Sequence, residues 1–269
     1  MQNGMKKCLA LGFLIAAEAL FASPSFTNSI ALVGQYMDYR EYNKAGVLVD
    51  SEKSDFSEMA GAEINFALLF DKRTRSYSQI DVNFLGLGGN TEYRGSLLNS
   101  GLPYGSHVSS TANYIVDTEM TYTKHHILSD VLEVNYGLGL GYYMWERSLS
   151  ASQVELYDWF YLKPTVGMRL EITKNLNLGL NLAYKYAINP AMSATSPDLD
   201  FTLGGVDVLE ASIPLTYTFS NTFDMFIALK VEEQKIKASG TEHSGGNDYY
   251  EPDSTAKNQY LKVGMTFKY

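Results

Sequence analysis

The chain has 269 residues, 45% of them hydrophobic, and a formal net charge of −9. This acidity argues against nucleic acid as a partner, because phosphate contacts need a basic face. The 20 Tyr and 13 Phe are typical of a membrane–water interface, where an aromatic ring is apolar at one end and hydrated at the other.

The first 22 residues have the pattern of a secretory signal peptide. Lys6 and Lys7 form a basic region, and the apolar stretch that follows, 9–17, is too short to span a membrane, which takes about 20 residues. Cleavage is expected after Ala19 or Ala22. The single Cys lies within this segment, so we expect neither disulfides nor thiolate chemistry in the mature chain, 23–269, which we interpret as one barrel domain.

Alternating apolar and polar residues predict about ten β-strands, with eight or twelve as alternatives. In chain order the segments are 30–42, 58–70, 77–86, 113–122, 132–142, 160–170, 176–185, 209–217, 223–232 and 262–269. This pattern is typical of an all-β, closed antiparallel transmembrane barrel. A soluble β-sandwich or a lipocalin-like barrel would show the same alternation with its apolar face turned inward.

The connections between the predicted strands alternate in length. Short turns are predicted at 71–76, 125–130, 173–175 and 220–222, and long polar loops include 88–109, 189–205 and 239–256. Bacterial barrels have short periplasmic turns and longer extracellular loops, and an even number of strands brings both ends of the chain to the periplasmic side.

Aromatic residues near the strand ends favour the membrane barrel. At the short-turn end they are Phe70, Tyr77, Tyr122, Phe219, Phe223, Phe267 and Tyr269, and at the other end Tyr114, Tyr142, Tyr184 and Tyr186. Two aromatic girdles around an aliphatic middle are expected in lipid. Pro164 and Pro214 fit this interpretation poorly, since each removes a donor from a strand ladder.

Charges of both signs lie on the predicted lumen face. They are Glu63, Asp81, Glu133, Lys163, Arg169, Lys185, Glu210 and Lys230. Ten strands enclose a narrow lumen, whereas a wide channel takes about 16, so we expect paired side chains to fill it. The alternative is a thin solute path beside Gly137, Gly139 and Gly141, where side chains are missing.

The last eight residues alternate strictly. Val263, Met265, Phe267 and Tyr269 are predicted to face lipid, and Lys262, Gly264, Thr266 and Lys268 the lumen. The segment resembles the C-terminal assembly signal of bacterial outer-membrane β-barrels, with Lys262, Gly264, Phe267 and Tyr269 at the fixed positions. The pattern of the mature chain is similar to the porin-like and opacity-like barrels. The resemblance implies the outer membrane of a Gram-negative bacterium, with membrane lipid and the barrel-assembly machinery as partners.

Two enzyme families of the outer membrane match poorly. His107 and Ser109 have the His-x-Ser spacing of lipid A deacylases, but Thr121 stands at the expected acid position and Glu119 is displaced by two residues. Omptin proteases use a His with acidic partners near the outer rim. Here His125 and His126 fall in a predicted periplasmic turn, and no Asp-x-His arrangement lies near His243.

These observations predict a structural or surface-interaction barrel whose lumen is filled by side chains. A narrow, non-specific channel is the alternative, and a lipid-acting hydrolase is a remote one. No phosphate-binding, metal-ligand or dinucleotide motif is present, so no catalytic residue, metal or cofactor is predicted. The acidic, Tyr-rich loops are candidates for a surface ligand of unknown identity.

Overall fold

The computed structural model describes residues 24–96 and 102–269. The predicted signal peptide lies outside these described residues. The strands are β1 (Ser25–Tyr42), β2 (Leu48–Arg73), β3 (Ser76–Gly95), β4 (His107–Ile127), β5 (Leu132–Ser148), β6 (Val154–Thr173), β7 (Leu176–Thr195), β8 (Asp198–Ser220), β9 (Phe223–Ser239), β10 (Glu242–Ser244), β11 (Asn247–Tyr249) and β12 (Asp253–Lys268).

Ten of these strands form one closed antiparallel barrel. Strands β1 to β9 pair in sequence order, and β12 closes the sheet between β9 and β1. The closing register runs from Thr27 opposite Lys268 to Tyr42 opposite Asp253. Strands β10 and β11 form a separate two-stranded hairpin. The predicted fold class is confirmed with ten strands, which excludes the alternatives of eight and twelve.

The two ends of the barrel differ in their connections. At one end, the turn end, the connections are 74–75, 128–131, 174–175 and 221–222, and β1 begins and β12 ends there. At the other end, the loop end, they are 43–47, 96–106, 149–153, 196–197 and 240–252. The turn end therefore has the short connections of a periplasmic side.

Several strands extend beyond the predicted limits. Residues 88–95 and 189–195, expected in loops, continue β3 and β7, and β4 runs through the predicted turn to Ile127. The two prolines are absorbed where the ladders of β7 are interrupted. Pairs are missing between Leu162↔Tyr186 and Thr165↔Ala183 on one side, and between Leu178↔Leu215 and Asn181↔Ser212 on the other.

The outer surface carries a band of exposed apolar side chains. Leu32 is 74% exposed, Leu209 59% and Leu229 56%, and on the closing strand Val263, Met265, Phe267 and Tyr269 all face outward as predicted. So large an apolar surface is unfavourable in water and suits contact with lipid. Tyr77, predicted in the girdle, instead points inward and donates to Glu133. None of the described residues forms a helix long and apolar enough to cross a membrane.

Towards the loop end, the strands reverse the polarity of their two faces. Outward positions become charged, as in Asp38 and Arg40 on β1, while inward positions become aromatic, as in Tyr39 and Trp145. This is the pattern of a soluble barrel, with apolar side chains inside and polar ones outside. We call this part of the barrel, above the apolar band, the outer extension.

Candidate functional site

A network of lysines and carboxylates crosses the lumen at the level of the apolar band. Lys163 contacts Glu119 (3.1 Å) and Glu210 (3.2 Å), and Lys185 contacts Asp117 (2.8 Å). The remaining pairs are Lys230–Glu232, Lys230–Glu210, Lys185–Glu210, Lys185–Glu232 and Lys262–Glu63. We call this set the lysine network. Its residues come from seven strands, β2, β4, β6, β7, β8, β9 and β12, and each lysine has a carboxylate partner, as buried charges require.

All eight predicted lumen charges lie on the inner face. Glu63, Lys163, Lys185, Glu210 and Lys230 belong to the lysine network. Glu133 and Arg169 form an ion pair at the turn end (2.8 Å), where the Arg169 side chain is 54% exposed. Asp81 instead accepts two hydrogen bonds from the Gln79 amide, at 2.8 Å each, and has no cation within 4 Å among the described residues.

Aromatic side chains close the lumen above the lysine network. The ring of Trp145 lies 5.0 Å from that of Tyr39 and 5.2 Å from that of Tyr157, and Tyr143 stacks on Trp159 at 4.7 Å. All five are at least 90% buried. We call these five residues the aromatic plug. Tyr161, immediately below them, donates to Asp117 (2.6 Å) and joins the plug to the lysine network.

A single arginine lies against the plug inside the outer extension. Arg147 contacts Glu41 (2.8 Å), Glu52 (2.8 Å) and Glu155 (2.7 Å), and it is 1% exposed. Its guanidinium stacks on the ring of Tyr39, 4.5 Å from the centroid. Tyr157 donates to Arg147's neighbour Glu251 in the 240–252 loop (2.5 Å). These contacts join β1, β2, β5, β6 and that loop around one charge.

Carboxylates outnumber cations around Arg147, and their pKa values reflect this. Burial raises the pKa of Asp50 to about 7, helped by the charge of Glu41, which lies directly opposite on β1. Burial also raises the pKa values of Glu155 and Glu251, with repulsion from Glu41 contributing to both. Protonation of these three carboxyls therefore stabilises the outer extension.

Stability should consequently fall as the pH rises. An Asp in the unfolded chain has a pKa of about 3.9, and Asp50 in the fold about 7. The stabilisation is complete when the pH is below the pKa of the unfolded chain, and it is lost once the pH exceeds the pKa of Asp50 in the fold. Between these two values the free energy of unfolding falls by at most about 1.4 kcal/mol per pH unit. In urea unfolding between pH 4 and 8, the free energy of unfolding of the Asp50→Asn variant should depend less on pH than that of wild type. Asp200→Asn, on the exposed outer face, should behave as wild type, and equal slopes for all three proteins would contradict the assignment.

A polar cavity of about 380 Å³ lies below the plug. Its lining reaches from Asp117 and Lys185 of the lysine network to His125. His125 lies opposite Tyr77 in the β3–β4 ladder, next to the 74–75 turn. The imidazole Nδ1 of His125 lies 2.8 Å from Glu133, while its Nε2 has no hydrogen-bond partner in the described part of the chain. Sequence reasoning placed His125 in a turn and so missed its position at this cavity.

The residues considered for hydrolysis do not come together. His107 and Ser109 begin β4 at the loop end, whereas Glu119 lies further along the same strand and pairs with Lys163. His243 contacts Asp248 across the β10–β11 hairpin, but both side chains are more than 70% exposed. Among the described residues, no group of three or more His, Cys, Asp and Glu side chains has the geometry of a metal site.

The closed barrel with an apolar outer band and a charged lumen defines the class: it is a small outer-membrane β-barrel, located in the cell outer membrane. Among solved structures it is similar to the outer-membrane protease OmpT from Escherichia coli, with a TM-score of 0.53 and 13% identity over 94% of this chain and 99% of that one. This likeness shows the fold alone.

Two further structures are similar at lower scores. The translocator domain of the autotransporter NalP from Neisseria meningitidis has a TM-score of 0.45 and 12% identity, over 99% of this chain and 96% of that one. The outer-membrane protein OprG from Pseudomonas aeruginosa has a TM-score of 0.40 and 8% identity, over 92% and 96%. No protein-family model and no curated protein matches the chain.

Proposed function

We propose that the chain is a non-conducting outer-membrane barrel with a structural or surface-contact role. The observation that carries this proposal is the aromatic plug, because Trp145 and Tyr157 occupy the lumen centre and are almost fully buried. Above it, Arg147 joins four strands, and Tyr157 links them to the last loop through Glu251. A lumen filled in this way supports rigidity rather than transport.

The outer extension supplies the surface for contacts. It carries the outward charges of the barrel beyond the apolar band, including Asp38, Arg40, Glu92, Arg94, Lys235 and Lys237. Held on hydrogen-bonded strands, these side chains form a preorganised surface, which lowers the entropic cost of binding a partner.

A narrow channel is the second candidate, because the polar cavity already occupies the turn-end half of the lumen. Conductance of the refolded protein in planar bilayers separates the two. Wild type should show no discrete steps. A variant with Tyr39→Ala, Trp145→Ala and Tyr157→Ala, which removes the centre of the plug, should show them. Discrete steps from wild type would overturn the non-conducting role and favour the channel.

A further inference from the structure

We propose that the cavity below the plug, which we call the lower cavity, binds a small primary ammonium compound that carries hydroxyl groups. This inference goes beyond the proposed function and is independent of whether the barrel conducts. The volume of about 380 Å³ is within the range of small-molecule sites, about 300–1,000 Å³. It holds a ligand of the size of one sugar ring.

The charge balance of the lumen favours a cation. The lysine network sets Lys163, Lys185, Lys230 and Lys262 against five carboxylates, Glu63, Asp117, Glu119, Glu210 and Glu232. Asp81 adds a further carboxylate, and all of these acids except Glu232 line the cavity, so five acids face the four lysines there. An additional positive charge would reduce this imbalance, since a buried carboxylate is costly without a partner.

Asp81 is the natural contact for that charge. Each described lysine of the network lies within 4 Å of another acid, whereas the side chains that donate to Asp81 among the described residues are the amides of Gln79 and Asn65. A carboxylate offers about four acceptor positions, so the bonds from Gln79 and Asn65 still leave Asp81 able to accept from an ammonium group.

His125 offers a second acceptor on the neighbouring strand. Glu133 accepts hydrogen bonds from Tyr77 and Arg169, and its Oε1 lies 2.8 Å from Nδ1 of the His125 imidazole. With the Nδ1 proton donated to Glu133, the lone pair on Nε2 is free to accept from an N–H or O–H. That atom is buried and has no hydrogen-bond partner among the described residues. The Tyr77 ring stacks on the imidazole at 4.3 Å and fixes its orientation.

Amide groups on the strands next to His125 suit hydroxyls. A Cβ built on Gly167 would lie 2.4 Å from Asn181 Oδ1 and 2.9 Å from Asn135 Oδ1. The glycine therefore lets two amide side chains converge over one point of the cavity wall. Amides donate and accept, which matches hydroxyl groups. The Asp81 carboxylate and these amides together select an amine with a polyol body.

Calorimetry with the full-length protein in detergent micelles tests the proposal, with glucosamine as the probe and glucose and N-acetylglucosamine as neutral controls of similar shape. Glucosamine should bind at least about tenfold more tightly than either control, as expected for a charged hydrogen bond. Equal affinity for glucosamine and glucose, or no binding of glucosamine, would overturn the proposal and leave a hydrated cavity.

Variants locate the site. Asp81→Asn, which keeps the shape of the side chain, should lose about tenfold in glucosamine affinity. His125→Phe, which keeps the stacking on Tyr77, should weaken binding several-fold. Asp200→Asn on the outer face should bind as wild type. Heat-dependent electrophoretic mobility checks that each barrel is folded, and folded Asp81→Asn and His125→Phe proteins with wild-type affinity would place the probe elsewhere.

Discussion

Replacing Arg147 by Met should lower the free energy of unfolding by about 3–5 kcal/mol, the usual cost of leaving buried charges without their partner. Met retains much of the packing between Tyr39 and Trp145 but removes the charge that Glu41, Glu52 and Glu155 share. These carboxylates would then repel one another inside the outer extension. Urea unfolding of the refolded protein measures the change.

The matched control is Arg40→Gln. Arg40 also pairs with an acid, Asp38 at 2.8 Å, but its side chain is 44% exposed, so the loss should be at most about 1 kcal/mol. The Arg147→Met defect should shrink at low pH, because protonation removes the repulsion among the acids. Equal stability of the two variants at pH 8 would show that Arg147 does not hold the outer extension together.

Replacing Gly264 by Val should prevent the barrel from closing. Gly264 lies opposite Ala31 at the seam of β1 and β12. A Cβ there would lie 2.5 Å from the Phe226 ring, 2.6 Å from the carbonyl oxygen of Ile30 and 2.8 Å from the Cβ of Ala31. Contacts this short force a shift of backbone at the seam. We expect little heat-modifiable barrel after refolding of the variant into detergent.

Gly86→Val is the control, because a Cβ at Gly86 would have no atom of the described residues within 4 Å and Gly86 also lies within a strand. This variant should refold as wild type. Refolding without the assembly machinery also separates steric closure from the predicted role of Gly264 in the assembly signal. If Gly264→Val refolds fully in detergent but fails to assemble in cells, the glycine is needed for recognition and the steric explanation is wrong.

The membrane-spanning part of the fold could be predicted because all its strands follow one pattern, with apolar side chains outside and polar ones inside. On β9, Ile227, Leu229 and Val231 face lipid and alternate with inward residues such as Lys230, so the sequence carries the register directly. The outer extension follows the opposite rule: the same strand continues with Glu233 and Lys235 outside and Ile236 inside. A prediction that assumes apolar residues on the outer face throughout therefore places the strand ends too early.

The Arg147 cluster was not predictable from local pattern. Its members Glu41, Glu52, Glu155 and Glu251 come from separate strands and a loop, and only closure of the barrel brings them to Arg147. His125 was missed for a simpler reason. Charged and polar residues around it resemble a turn, whereas the ladder with β3 continues through Tyr77 opposite His125.

The outer extension also constrains how this protein can diverge. In a barrel with long loops, insertions can change the exposed surface freely, because loop residues are not paired in a strand ladder. Here most of the surface beyond the membrane belongs to paired strands, where one inserted residue would exchange inside and outside for the rest of the strand. Drift in length is confined to the loop-end connections at 43–47, 96–106, 149–153, 196–197 and 240–252. Elsewhere, surface variation has to proceed by substitution at alternate positions, which keeps the shape of the exposed surface while its chemistry changes.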